Sequence, residues 1–313
     1  MEIALQVLLL VGGLVLALGA SRTAVDYTRA LAAALGAPAF VVGVALVSIG
    51  TDLPEIANSI AAHVQGEGDV NVGDSVGSVL TQYTLVLGLF PLVVRVVPIE
   101  ARQAVTVTAL TVAGLAITIV FVANGWLGRL EGLVLVAAWA LATWVVVRTV
   151  PGTIIDDPPH VRPRRRLVQA GVVLLALALV GLGATVAVRA LVRLAELAGV
   201  PEFAIAFFGA SIGTSAPEIV VDLTALVRGA PGIAVGDALG SSLVDSTLSI
   251  GVGPTVAPAD VTPRLAVVGS VYAMCAVALV GTVLAVRRRH DRASASFFIG
   301  LYLAAYVVLI GVA

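Results

Sequence analysis

The sequence predicts an all-α membrane protein with ten transmembrane helices in two inverted five-helix repeats, and three observations lead to it. First, 59% of residues are hydrophobic and 12% charged, with a mean hydropathy of +1.08, a balance that soluble globular domains do not carry. Second, long apolar runs alternate with short polar breaks, as a polytopic protein requires when each span needs ~20 apolar residues to cross ~30 Å of hydrocarbon. The runs lack the period-two alternation of a membrane barrel. Third, residues 48–88 and 211–251 align without a gap at one constant offset (48 + 163 = 211, 88 + 163 = 251), and 19 of the 41 positions are identical. Five spans per copy is an odd number, so the second copy enters the bilayer upside down relative to the first.

In chain order, the first expected span is 3–20; its flank carries Glu2 rather than the basic residues of a signal peptide, so it is read as a retained helix. Spans follow at 38–63, with a Gly-Thr-Asp-Leu-Pro break, at 72–94 beyond a polar hairpin holding Glu67 and Asp69, and at 104–122 and 127–147. A polar linker rich in Pro, Asp and Arg covers 151–166, and the second set lies at 167–188, 201–227, 233–257, 265–286 and 296–312. The expected units are 1–155 and 156–313. With the amino terminus outside, 14 of the 18 basic residues, all Arg, fall in inner loops, so the positive-inside rule places the amino terminus outside and the linker inside. The net charge of −1 indicates no nucleic-acid partner, and the lone Cys275, in an apolar run, forms no internal disulfide and reads as lipid-facing or packing.

The identities between the copies are more telling than their number. They include Gly50-Thr51, Pro54-Glu55, Gly73-Asp74 and Gly77-Ser78, with twins Gly213-Thr214, Pro217-Glu218, Gly236-Asp237 and Gly240-Ser241. These are helix breakers beside oxygen-bearing side chains. Gln82 and Asp245 lie ten residues into their spans, ~15 Å at 1.5 Å per residue and half of a ~30 Å core, and Gly50 and Gly213 are at similar depth. Acids at that depth cost roughly 2.5–3.5 kcal/mol on insertion scales unless paired or wetted. Every Arg falls in or near a loop, so a bound cation is the natural counter-charge of Glu55, Glu218 and Asp245.

Spacing adds to this. Thr51 and Glu55, Thr214 and Glu218, Ser78 and Gln82, and Ser241 and Asp245 are each four apart, on one helix face. Pro54 and Pro217 donate no backbone hydrogen bond, so the helices should break and free carbonyls at Ser48 and Ser211 as ligands, as in the discontinuous helices of transporters. The result is an oxygen-only site without thiolate or imidazole, suited to a hard cation such as Ca²⁺, which takes six to eight oxygens at ~2.3–2.6 Å.

The paired GT-x-x-PE and G-D-x-x-GS-x-x-x-[QD] segments resemble the two signature repeats of the sodium/calcium exchanger family, within the cation/calcium antiporters. The resemblance implies a non-enzymatic antiporter that moves Ca²⁺ against Na⁺ by alternating access, with no cofactor, no obligatory protein partner, and the lipid bilayer as its surroundings, in the plasma membrane of a prokaryote. It maps ion contacts onto Glu55 and Glu218, hydroxyls onto Thr51, Ser78, Thr214, Ser215 and Ser241, carbonyls onto Ser48 and Ser211, and the late positions onto Gln82 and Asp245. It also implies that the first and sixth helices slide as a pair. The sequence departs from the family at Asp52, commonly Ser, and at Gln82, commonly Asn or Asp; the proton-coupled branch tends to carry Gln there. Asp52 adds a charge where its mirror is Ser215, and Gln82 lacks the charge of its mirror Asp245, so the two are expected to compensate. Asp222 adds a further acid one turn beyond Glu218.

Three other readings compete. An H⁺-coupled divalent-cation antiporter would use the same acids, with Asp222 beside Glu218 as the proton carrier. A passive cation channel could use the same oxygens, and an intramembrane aspartyl protease would need Asp74 and Asp237 to share one proton. Small residues such as Ser78 and Ser241 also serve helix packing, Asp74 and Asp237 read as helix-start caps, and His63, His160 and His290 read as solvated groups at span ends.

Overall fold

The computed structural model describes residues 2–150, 166–198, 213 and 215–310, and it is mostly helical. Helix α1 is Glu2–Leu35, α2 is Ala39–Thr51, α3 is Leu53–Val64 and α4 is Gly68–Val94. Helices α5 and α6 are Ala101–Val122 and Arg129–Thr149, and α7 is Arg166–Leu197. After it come α8, Ala216–Val227, and α9, residues 231–256. Helices α10, Pro263–Arg287, and α11, Arg292–Ile310, complete the described chain. Among the described residues six helices are long and apolar enough to cross a membrane, or seven if the bent α2–α3 pair is one span. The outer faces of α1 and α6 expose Ile3, Leu8, Val15, Leu130 and Leu141, as lipid contact demands. Cys275 is exposed, as a lipid-facing residue would be.

Helices α1 and α7 run further than the apolar runs suggested, because their polar ends continue the helix beyond the hydrophobic stretch. They cross where small residues let backbones touch: a methyl at Gly13 would stand 2.6 Å from the Gly183 carbonyl oxygen, and one at Gly183 would stand 2.7 Å from the Ala17 nitrogen. Gly13-x-x-x-Ala17 and Gly183-x-x-x-Ala187 thus meet as two small-residue motifs, smooth on both sides. Helix α1 is also tied to α8, since Asp26 pairs with Arg228 at 2.5 Å and Ser21 meets Thr224 at 2.8 Å.

Local structure recurs at the 163-residue offset. Leu53–Val64 matches Ala216–Val227, Gly68–Thr81 matches Pro231–Val244, and the π turn Gln82–Val86 matches Asp245–Ser249. Strand β1, Val96–Pro98, pairs antiparallel with β4, Arg289–Asp291, while β2, Trp126–Leu127, pairs with β3, Ala259–Asp260. Each short ribbon takes one strand from each half, so the halves are stitched together twice.

Proline explains two cross-links between the halves. Pro91 and Pro254 lie inside α4 and α9 and cannot donate to the carbonyls four residues back, Leu87 and Ile250. A side chain from elsewhere fills each gap: His290 Nε2 lies 2.6 Å from the Leu87 oxygen, and Asn71 Nδ2 donates to the Ile250 oxygen at 3.1 Å. His290 is therefore buried, stacked on Phe298, and not a solvated group. His63 is corrected likewise, buried with Nδ1 2.8 Å from the Ala257 oxygen. His160 lies outside the described residues.

Candidate ion-binding site

The site forms where the bend between α2 and α3 meets α8 and α9. Helix α2 ends at Thr51, Asp52 has φ −81° and ψ 6°, and α3 restarts at Leu53 with Pro54 in its first turn, at a bend of 46°. Thr51 and Glu55 consequently flank a bend instead of sharing one continuous helix face. The freed carbonyl expected at Ser48 is corrected: its oxygen accepts the Asp52 amide at 3.0 Å and the Thr51 hydroxyl at 3.1 Å. The carbonyl that Pro54 deprives of its helical partner is that of Gly50, four residues back. Ser211 and Thr214 lie outside the described residues.

Close backbone approach brings the second copy in. A Cβ at Gly240 would stand 2.6 Å from Val44 Cα, and one at Gly43 would stand 2.8 Å from the Ile233 oxygen, so α2 and α9 pack main chain against main chain. That contact carries Thr51 to Ser241, Oγ to Oγ at 3.3 Å.

At the centre, Asp52, Glu55 and Glu218 each direct a carboxylate oxygen to a point where all three lie within 4.8 Å of one another. All three residues are buried, and none of their carboxylate oxygens has a hydrogen-bond partner among the described residues. The Ser78 and Ser215 hydroxyls are buried and unpartnered as well. Acceptors crowded together without donors leave a buried desolvation cost that only a positive charge offsets.

Gln82 and Asp245, mirror positions in sequence, touch in space. Gln82 Nε2 donates to Asp245 Oδ2 at 3.2 Å, and Ser242 Oγ donates to Gln82 Oε1 at 2.9 Å, which orients the amide. Asp245 Oδ1 keeps no partner. Each residue opens a π turn, whose wider ring redirects side chains and is frequent at functional sites. Hydropathy periodicity carries no trace of these turns.

The capping role expected for Asp74 and Asp237 is overturned. Their helices begin at Gly68 and Pro231, so both lie in the second turn, beyond the reach of the helix's free N–H groups. Asp74 accepts the Asn58 amide at 2.7 Å. Asp237 is fully buried, with Oδ1 3.3 Å from Thr51 Oγ1 and 3.5 Å from Ser241 Oγ. The two aspartates have different neighbours, so the dyad an aspartyl protease would need from them is not formed.

Known proteins supply the frame for this geometry. The family model described as "Sodium/calcium exchanger protein" matches residues 5–148 and again 168–311, two stretches related by the same offset (5 + 163 = 168, 148 + 163 = 311). A putative antiporter, CaxA of Alkalimonas amylolytica, is 29% identical over 257 residues, covering 79% of each chain. The inner membrane protein YrbG of Escherichia coli K12 is 27% identical over 267 residues, covering 82% of this chain and 81% of its own. Among solved structures, the sodium-calcium exchanger NCX_Mj soaked with 10 mM Na⁺ superposes with a TM-score of 0.81 at 22% identity, over 98% of this chain and 99% of the other, a likeness of fold. Fold, interrupted helices and buried carboxylates together define a multi-pass cation/Ca²⁺ antiporter. The chain belongs to the sodium/calcium exchanger family.

Proposed function

We propose that this protein exchanges Ca²⁺ for Na⁺ by alternating access at the centre built from both halves. The observation that carries the reading is the convergence of Asp52, Glu55 and Glu218 within 4.8 Å with no hydrogen-bond partner among the described residues. Ca²⁺ bridges Glu55 and Glu218 across the pseudo-symmetric interface, with Thr51, Ser215, Ser78 and Ser241 as hydroxyl ligands and Thr214 and Ser211 completing the shell. Gln82 and Asp245 border the same centre, and Asp52 restores charge that Gln82 lacks. Several Na⁺ replace one Ca²⁺ on the same oxygens. An empty centre leaves its acids uncompensated in a low-dielectric interior, which disfavours crossing without cargo and so suppresses leak.

The architecture we assign is ten helices in two inverted five-helix units, 1–155 and 156–313, with the amino terminus outside a prokaryotic plasma membrane. The smooth Gly13/Gly183 crossing suits α1 and α7 to slide together past the centre. Proton coupling is the second reading, favoured by a surplus of buried acid: Asp52, Glu55, Glu218, Asp222, Asp237 and Asp245 are six carboxylates, more than one Ca²⁺ neutralises.

Ca²⁺ uptake into proteoliposomes at equal pH on both sides, driven by an outward Na⁺ gradient, tests the assignment. Stimulation by Na⁺ supports it. Stimulation by a pH gradient in Na⁺-free buffer, with none by Na⁺, establishes proton coupling instead, and Ca²⁺ flux without any counter-ion establishes a channel.

A further inference from the structure

The two copies of the repeat treat one corner of their helices differently. In the first copy the second-turn acid Asp74 receives an amide from Asn58, and the neighbouring Ser59 hydroxyl accepts the Gly253 N–H at 3.0 Å. Asn58 and Ser59 thus each serve a polar group of a neighbouring helix. In the second copy the equivalents of Asn58 and Ser59 are Val221 and Asp222 (58 + 163 = 221, 59 + 163 = 222). The donor is replaced by Val221, and the neighbouring Ser59 by a second carboxylate.

Asp222 and Asp237 lie side by side and are both fully buried. Among the described residues neither Asp222 oxygen has a hydrogen-bond partner, and neither has Asp237 Oδ2. The only polar groups against Asp237 Oδ1 among the described residues are the Thr51 and Ser241 hydroxyls, at 3.3 and 3.5 Å. Asp222 is one helical turn beyond Glu218, and Asp237 one turn before Ser241, so the pair is displaced by ~6 Å from the central acids toward the 228–230 turn.

From this geometry we infer a second hard-cation site, distinct from the Asp52–Glu55–Glu218 centre, in which Asp222 and Asp237 supply two carboxylates and Thr51 and Ser241 supply hydroxyl oxygens. Two facing carboxylates with no cationic partner among the described residues are balanced by one divalent ion, and an all-oxygen shell selects a hard one, so Ca²⁺ is the occupant. Thr51 and Ser241 stand between the two sites and serve both. The site is a way-station on the side of the bundle bounded by the 228–230 turn, one step from the centre. This rests on the proposed Ca²⁺ centre only for the identity of the ion.

The test is the Ca²⁺ stoichiometry of the purified full-length protein in Na⁺-free detergent solution, measured by equilibrium dialysis with radiolabelled Ca²⁺. The wild type is expected to bind two Ca²⁺ per chain, Asp222→Asn and Asp222→Ser one, and Asp222→Glu two again. The Ser variant places the first copy's own residue at this position, which guards against misfolding, as does the charge-preserving Glu. Glu55→Gln should remove the other ion and leave the Asp222 site loaded. One Ca²⁺ in the wild type, or a count that Asp222→Asn and Asp222→Ser leave unchanged, overturns the second site and leaves the pair to share a proton or hold Na⁺. Failure of the centre has a different signature, in which Glu55→Gln loses no Ca²⁺ while the Asp222 variants do.

Discussion

The two copies of the 41-residue segment share a backbone and differ in electrostatics. In their described residues both carry a helix of 12 residues, a second helix of 14 residues, and a π turn at equivalent positions. In the first copy, amide groups attend the polar positions: Asn58 holds Asp74, and Gln82 stands where the second copy has Asp245. The second copy has Glu218, Asp222, Asp237 and Asp245, all buried, and among the described residues its acids receive a side-chain amide only from Gln82. Duplication therefore preserves the helix pattern that brings the two copies together, while the load of negative charge is free to drift to one side. Cation binding is expected to be lopsided in the same sense.

The largest effect expected from breaking this comparison is at the two residues that do not differ. Glu55→Gln or Glu218→Gln removes one charge from a cluster that has no donor, and Ca²⁺ exchange in proteoliposomes should fall by at least about 100-fold with the protein still folded and inserted. Near-normal flux in either variant would remove the centre from the mechanism.

Next in size is the pair that sharpens the asymmetry. Asp52→Ser makes position 52 like its mirror Ser215 and should weaken apparent Ca²⁺ affinity about tenfold, ~1.4 kcal/mol. Adding Gln82→Asp should recover part of that loss, because Asp245 then shares a bound cation with a second acid instead of an amide. A double variant with lower affinity than Asp52→Ser alone would show that the two positions act independently.

A smaller effect, on stability, is expected where the halves exchange side chains. His290→Ala and Asn71→Ala each strand a buried carbonyl left over by proline, Leu87 or Ile250, at a cost of about 1–3 kcal/mol. Thermal unfolding in detergent should register both losses, and the two should add, since the sites are separate. Sub-additive losses would mean that the two cross-links are coupled.

The smallest effect is expected at the exposed turn before α11. Backbone N–H donation from Ser294, and then the neighbouring Arg287, hold the Asp291 carboxyl below the usual carboxylate range. Its contribution is complete above the unfolded carboxyl pKa of ~3.9 and is lost as pH falls through the lower folded value. Asp291→Asn should thus lower the melting temperature slightly at pH 7 and leave it unchanged well below pH 3; an equal loss at both would assign the effect to helix capping by the side chain without charge.

The medium, the helical class and the duplication were determined by sequence alone, because hydropathy and a gapless internal match need no three-dimensional information. That Glu55, Glu218, Gln82 and Asp245 face the protein interior and not lipid was equally legible, since polar groups beside helix breakers at mid-span are costly against hydrocarbon. Sequence did not reveal which oxygens are already engaged. Ser48 looked free because Pro54 follows, yet its carbonyl is taken by Thr51 and Asp52; His290 looked solvated because it ends a span, yet it serves a carbonyl 203 residues away. Asp237 read as a helix cap, and only the α2–α9 contact sets it against Thr51, while the packing of α8 on α9 sets it against Asp222. Hydrogen bonds saturate through partners distant in sequence, and a buried carboxylate is a cap, a ligand or half of a pair according to what the fold places within about 3 Å of it.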